Sequence, residues 1–107
     1  MSSNNFSIEV LYFSGCPSWE QTTKDINIVL DELGIIAVIA LIKVASDEDA
    51  KKHKFPGSPT IRINGQDLFP VDQPNFSLQC RVYPTPEGLK GTPSREMLHE
   101  RLSKLTN

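Results

Sequence analysis

Hydrophobic and polar positions change period several times along the chain, and each change marks an element. Ile8-Glu9-Val10-Leu11-Tyr12-Phe13 is dense in β-branched and aromatic residues, which predicts a mostly buried strand over 6–14. Ile26, Val29, Leu30 and Leu33 then recur at i, i+3, i+4 and i+7. That spacing lines one face of a helix over 17–33, with Gly34 as its C-cap. Residues 35–44 (Ile-Ile-Ala-Val-Ile-Ala-Leu-Ile-Lys-Val) form a near-continuous apolar run, the pattern of an interior parallel strand covered on both faces. Strand, helix and strand in this order make a βαβ unit.

The second half is more broken. Ser46-Asp47-Glu48-Asp49 resembles a capping box and predicts a short helix to about Lys54. Phe55-Pro56-Gly57-Ser58-Pro59 interrupts the pattern. Thr60-Ile61-Arg62-Ile63 alternates, Asn64-Gly65 is a strong hairpin signal, and Gln66-Asp67-Leu68-Phe69 reads as the returning strand. Residues 70–91 hold prolines and glycines with little periodicity, a long loop or irregular subdomain. A segment of that length is either functional or conceals a further element. Thr92-Pro93 supplies an N-cap and a first helical position for a last helix, with Leu98, Leu102 and Leu105 as its buried stripe and Met97 alongside. Residues 1–5 are polar and expected to be loose. The predicted order is β-α-β-α-β-β-α in a single α/β domain spanning 1–107.

Composition narrows the function classes. With 38% hydrophobic residues, 22% charged residues and a net charge of −2, the 107-residue chain has the balance of an ordinary globular domain. Basic residues are scattered and no aromatic-basic stripe interleaves them, so no nucleic-acid partner is expected. The Met-Ser-Ser-Asn-Asn start lacks the basic and apolar segments of a signal peptide. The longest apolar run, Ile35 to Ile42, is too short to span a bilayer. A cytoplasmic location without membrane association is therefore expected. In that compartment two cysteines point to redox, metal-binding or inert roles rather than a disulfide framework. No glycine-rich cofactor fingerprint or phosphate loop occurs, so no cofactor is expected and any chemistry rests on sulfur. His53 and His99 lack metal-ligand spacing to a cysteine and read as surface residues, which leaves no metal site.

The main chemical candidate is Cys16, in Ser14-Gly15-Cys16-Pro17-Ser18-Trp19, between the first strand and the first helix. Gly15 suits a tight turn, and Pro17 suits a helix start, where its missing N–H goes unnoticed. Unpaired N–H groups and the positive end of the helix dipole favour a thiolate there, which makes Cys16 a candidate reactive sulfur. The alternative is a small apolar residue closing the turn.

The order of elements, with Ser58-Pro59-Thr60-Ile61 opening the third strand, resembles the thioredoxin fold. Gly15-Cys16-Pro17, Phe55-Pro56-Gly57-Ser58-Pro59-Thr60 and Cys80-Arg81-Val82-Tyr83 together resemble a group of small bacterial thioredoxin-like proteins, often labelled as related to alkylmercury lyase. The resemblance implies a three-layer sandwich with a mixed four-stranded sheet and a cis Pro59 packed beside Cys16. It also implies that Ser58 offers its backbone to an extended substrate strand. The chain departs from the family's C-x-x-C, because Trp19 stands where the second cysteine would be. A mixed disulfide at Cys16 thus has no resolving thiol one turn away. Trp19 would shield the sulfur or wall a substrate site, or else serve as a core residue.

In this topology the Asn64-Gly65 turn returns the chain to the end of the sheet that carries Cys16, so the segment bearing Cys80 starts there. Cys80 is then a candidate resolving thiol, provided the Cα atoms come within about 7 Å; otherwise it is an inert buried thiol. Arg81 would stabilise a thiolate or hold an anionic substrate, or else pair with Asp72 or Glu87, and Tyr83 reads as a loop anchor. The leading expectation is a thiol-dependent oxidoreductase acting on a disulfide, peroxide or thiol substrate, including a protein segment. The alternatives are a non-catalytic module holding a partner segment along the cis-proline groove, and capture of mercury or copper(I) by two thiolates.

Overall fold

The computed structural model describes residues 7–71 and 75–105. The expectation for residues 1–5 lies outside them. Nine elements follow in chain order: β1 (Ile8–Tyr12), α1 (Ser18–Leu33), β2 (Ile39–Lys43), α2 (Asp47–Lys52), β3 (Thr60–Ile63), β4 (Gln66–Asp67), β5 (Tyr83–Thr85), β6 (Gly88–Lys90) and α3 (Arg95–Leu105). β1 to β4 form a mixed four-stranded sheet in the order β2-β1-β3-β4. β1 runs parallel to β2 and antiparallel to β3, with Val10 opposite Leu41 on one side and Ile61 on the other.

Period-2 alternation along β1 splits the interior into two cores. Ile8 and Val10 join Ile26, Val29 and Leu30 of α1, Ile61 and Ile63 of β3, and Leu98 and Leu102 of α3. Leu11, pointing the other way, packs with Val44, Ala50 and Phe55, which puts α2 on the opposite face of the sheet. Each fully buried aliphatic side chain contributes about 1.5–3 kcal/mol, so the α1 stripe is the larger anchor.

The local signals account for most boundaries. Gly34 ends α1 in a left-handed conformation, φ 69°, with its N–H returning to Asp31 and Leu30. The Ser46 hydroxyl caps α2 by accepting the Asp49 N–H at 3.1 Å, and the Asp49 carboxylate accepts the Ala45 N–H. Asn64 and Gly65 both have positive φ, as a two-residue hairpin turn between β3 and β4 requires.

Three expectations are corrected, and one open alternative is decided. The apolar run 35–44 is not an interior strand: its strand is only Ile39–Lys43, at the sheet edge, and Ile36 and Val38 are 90% and 86% exposed. The last helix is capped by Ser94, whose hydroxyl accepts the Met97 N–H at 3.1 Å, and not by Thr92. Leu105, expected in that helix's buried stripe, is exposed. Of the alternatives left open for 70–91, the segment holds a concealed element: a hairpin in which β5 pairs with β6 across Pro86 and Glu87, with Thr85 Oγ1 donating to the Gly88 carbonyl. Among the described residues no helix is long and apolar enough to cross a membrane.

Candidate functional site

The turn from β1 into α1 closes by a hydrogen bond from the Cys16 N–H to the Phe13 carbonyl at 3.0 Å. A Cβ on Gly15 would stand 2.5 Å from Phe13 Cζ, so a side chain there would require the Phe13 ring to shift. Pro17 is the N-cap of α1, and no side chain among the described residues caps the helix. Its first-turn amides therefore point toward the neighbourhood of Cys16 without a side-chain acceptor.

Facing this turn is the approach to β3. The Ser58–Pro59 bond is cis, and Cys16 Sγ lies 3.6 Å from the Ser58 carbonyl oxygen. Ser58 is fully buried, and its hydroxyl has no hydrogen-bond partner among the described residues. Both of its backbone groups are used. The Ser58 N–H donates to the Gln79 carbonyl, and the Arg81 N–H donates to the Ser58 carbonyl, each at 2.8 Å. These bonds form a parallel bridge that sets Ser58 beside Cys80.

Cys80 is thereby held against Cys16, and the two are joined as a disulfide with a Cα–Cα separation of 5.8 Å, well inside the usual range. Cys16 is buried, at 3% exposure, whereas Cys80 is exposed. The residue read from the sequence as the candidate reactive sulfur is thus a buried one. A groove of about 640 Å³ runs along the Cys80 side, lined by Phe69, Cys80, Arg81, Val82, Tyr83 and Met97 among others.

The segment bearing Cys80 is braced on both flanks. The Gln79 side-chain amide donates to the Pro56 and Asn75 carbonyls, at 2.9 and 2.8 Å. The Arg81 guanidinium, almost fully buried, pairs with Asp67 at 2.9 Å and also donates to the Phe69 carbonyl and Thr60 Oγ1. Its ion pair is therefore with Asp67, not Glu87; the other expected partner, Asp72, lies outside the described residues. Through these bonds to Asp67, Phe69 and Thr60, Arg81 braces the fold, while it also lines the groove. Tyr83 anchors the segment as its sequence context suggested: its hydroxyl donates to the Pro59 carbonyl at 2.6 Å, and its ring meets Phe69 edge-on. Burial pushes the Tyr83 phenol well above its ordinary pKa; the Arg81 charge opposes this and Asp67 adds to it.

Trp19 stacks on Tyr12 with centroids 4.3 Å apart and packs against the main core. His53 sits at the C-cap of α2, where its carbonyl accepts from Arg62, and His99 is exposed on α3. No three His, Cys, Asp or Glu side chains among the described residues are grouped so as to hold a metal ion.

Sequence reasoning placed Cys16, Ser58, Pro59, Cys80 and Arg81 at one end of the sheet, and the structure brings all five together. It missed Asp67 and Gln79, whose roles rest on contacts far apart in sequence. Gln79 had no local signal; Asp67 could have been found as the nearest carboxylate on the returning hairpin strand. No protein-family model and no curated protein matches the chain.

Proposed function

We infer that the chain is a thioredoxin-like thiol redox protein in which Cys16 and Cys80 cycle between dithiol and disulfide, acting on a disulfide, peroxide or thiol partner. The observation that carries this reading is the bridge between Ser58 and Cys80. It holds one sulfur against the other, which sits at the mouth of α1. Because backbone bonds brace Cys80 independently of the disulfide, opening the S–S bond leaves both sulfurs within reach, the condition for reversible closure. The mixed sheet, the helices on both of its faces and the cis Ser58–Pro59 bond agree with the thioredoxin-like architecture.

The same bridge weighs against a pure binding module. A partner strand pairing with Ser58 would need backbone groups that Gln79 and Arg81 of this chain already occupy.

One equivalent of hydrogen peroxide added to the reduced protein at low protein concentration tests the reading. One thiolate takes an oxygen from the peroxide, giving a sulfenic acid and hydroxide; the second thiol then bonds to that sulfur and expels its hydroxyl as water. Peptide mapping is expected to show both thiols lost and a Cys16–Cys80 cross-linked peptide. Sulfinic acid or intermolecular dimers in place of that link would contradict it.

A further inference from the structure

The two sulfurs of the disulfide are not equivalent, and the difference assigns the direction of exchange. Displacement at a disulfide requires the incoming sulfur to approach in line with the S–S bond, behind the sulfur attacked. An approach to Cys16 would have to pass through the packing that leaves this residue 3% exposed, with the Ser58 carbonyl 3.6 Å from its Sγ. Cys80 is exposed and lines the open groove beside Phe69 and Met97; Cys16 is not part of that lining.

The helix start favours Cys16 as the leaving thiolate, against the cost of its burial. A disulfide breaks more readily when the departing sulfur is the better-stabilised thiolate. Cys16 departs at the start of a 16-residue helix whose first amides no side chain among the described residues caps. After taking up a proton, its thiol has the Ser58 carbonyl within reach as an acceptor.

We propose that Cys80, not Cys16, is the sulfur that exchanges with the partner, and that Cys16 is the buried leaving and resolving sulfur. This inverts the order expected from the sequence and rests on the redox reading above. In the oxidised protein a partner thiolate bonds to Cys80 Sγ as the Cys16–Cys80 bond breaks, and the electron pair leaves on Cys16. A second thiolate then attacks the partner's sulfur in the mixed disulfide and releases Cys80. Two partner thiols are thereby oxidised to one disulfide while the protein disulfide is reduced to two thiols. In the reverse direction the Cys80 thiolate attacks a partner disulfide, expelling one partner thiolate. Cys16 then displaces the second and restores the bond.

The order is read by adding excess glutathione to the oxidised wild-type protein and quenching at short times with acid and N-ethylmaleimide. Both cysteines are then mapped by mass spectrometry. At least tenfold more glutathione is expected on Cys80, with Cys16 carrying the maleimide, than in the opposite arrangement. Glutathione mainly on Cys16, or comparable amounts on both, overturns the assigned order and leaves the redox reading intact. A disulfide that glutathione does not open and that yields no adduct overturns both.

Discussion

Ser58 and Cys80 lie side by side as a parallel bridge, with both backbone groups of Ser58 bonded to the residues that flank the cysteine. Cys80 is thus positioned by main-chain hydrogen bonds as well as by its sulfur. The pairing with Cys16 follows from the fold of the 79–81 segment, which has its own reasons to be there.

One of those reasons is Gly57. Its φ of +141° is a conformation that side chains rarely adopt, and a Cβ would stand 3.0–3.1 Å from the Arg81 Cβ, Cα and N. Gly57→Ala is expected to cost about 1–3 kcal/mol and to push the Cys80 segment off Ser58, slowing re-formation of the disulfide. Gly65→Ala is the control: its φ is +86° but nothing lies within 4 Å of its Cβ position. That variant should lose stability without slower reoxidation. Urea midpoints and reoxidation rates of the two variants check both statements.

Asp67 carries a second brace. Its carboxylate pairs with the buried Arg81 and also accepts the Phe69 N–H at 2.8 Å. Asp67→Ala leaves a buried guanidinium without its counter-charge, which costs about 3–5 kcal/mol, toward the lower end here because the Asp67 side chain is 20% exposed. Removing Glu100 from its exposed pair with Lys104 should leave the urea midpoint unchanged. Equal effects from the two substitutions would mean that the Arg81 brace is not structural.

What could be read from the sequence divides along local and nonlocal lines. Gly34, the Ser46 cap and the Asn64-Gly65 turn were legible because each acts within a few residues of itself. The place of β2 was not, since a run of apolar residues looks the same at a sheet edge as in its interior, and nothing local records that Ile36 and Val38 face solvent. The β5–β6 hairpin was hidden because its strands are three residues each and Pro84 breaks the alternation. At the site, topology alone brought Cys80 toward Cys16. Which sulfur is buried depends on packing between segments more than 40 residues apart, with Ser58 against Cys16 as the clearest case.

Tyr83 makes the fold sensitive to alkali. Its phenol pKa is raised in the folded state above the ordinary value of about 10, chiefly by burial. Above pH 10 the unfolded chain therefore loses this proton while the folded chain keeps it. Stability is fully present below that pH and falls as pH rises toward the folded-state value. Tyr83→Phe removes that dependence but also the hydrogen bond to Pro59, costing about 1–3 kcal/mol near neutral pH. Urea melts at pH 7 and pH 11 should show a smaller pH effect in the variant; an unchanged or larger one would contradict the assignment.

The central claim, that Cys16 and Cys80 form a working redox pair, is tested most directly by their reduction potential. Equilibration in dithiothreitol and glutathione redox buffers, followed by alkylation and mass analysis, gives the fraction of dithiol at each potential. Exchange-active pairs lie above about −300 mV, whereas structural disulfides lie below it. A single two-electron transition above that limit, with the fold retained in the reduced form, is the expected result. A midpoint below it, or unfolding on reduction, would mark the bond as a staple of the fold and contradict the account.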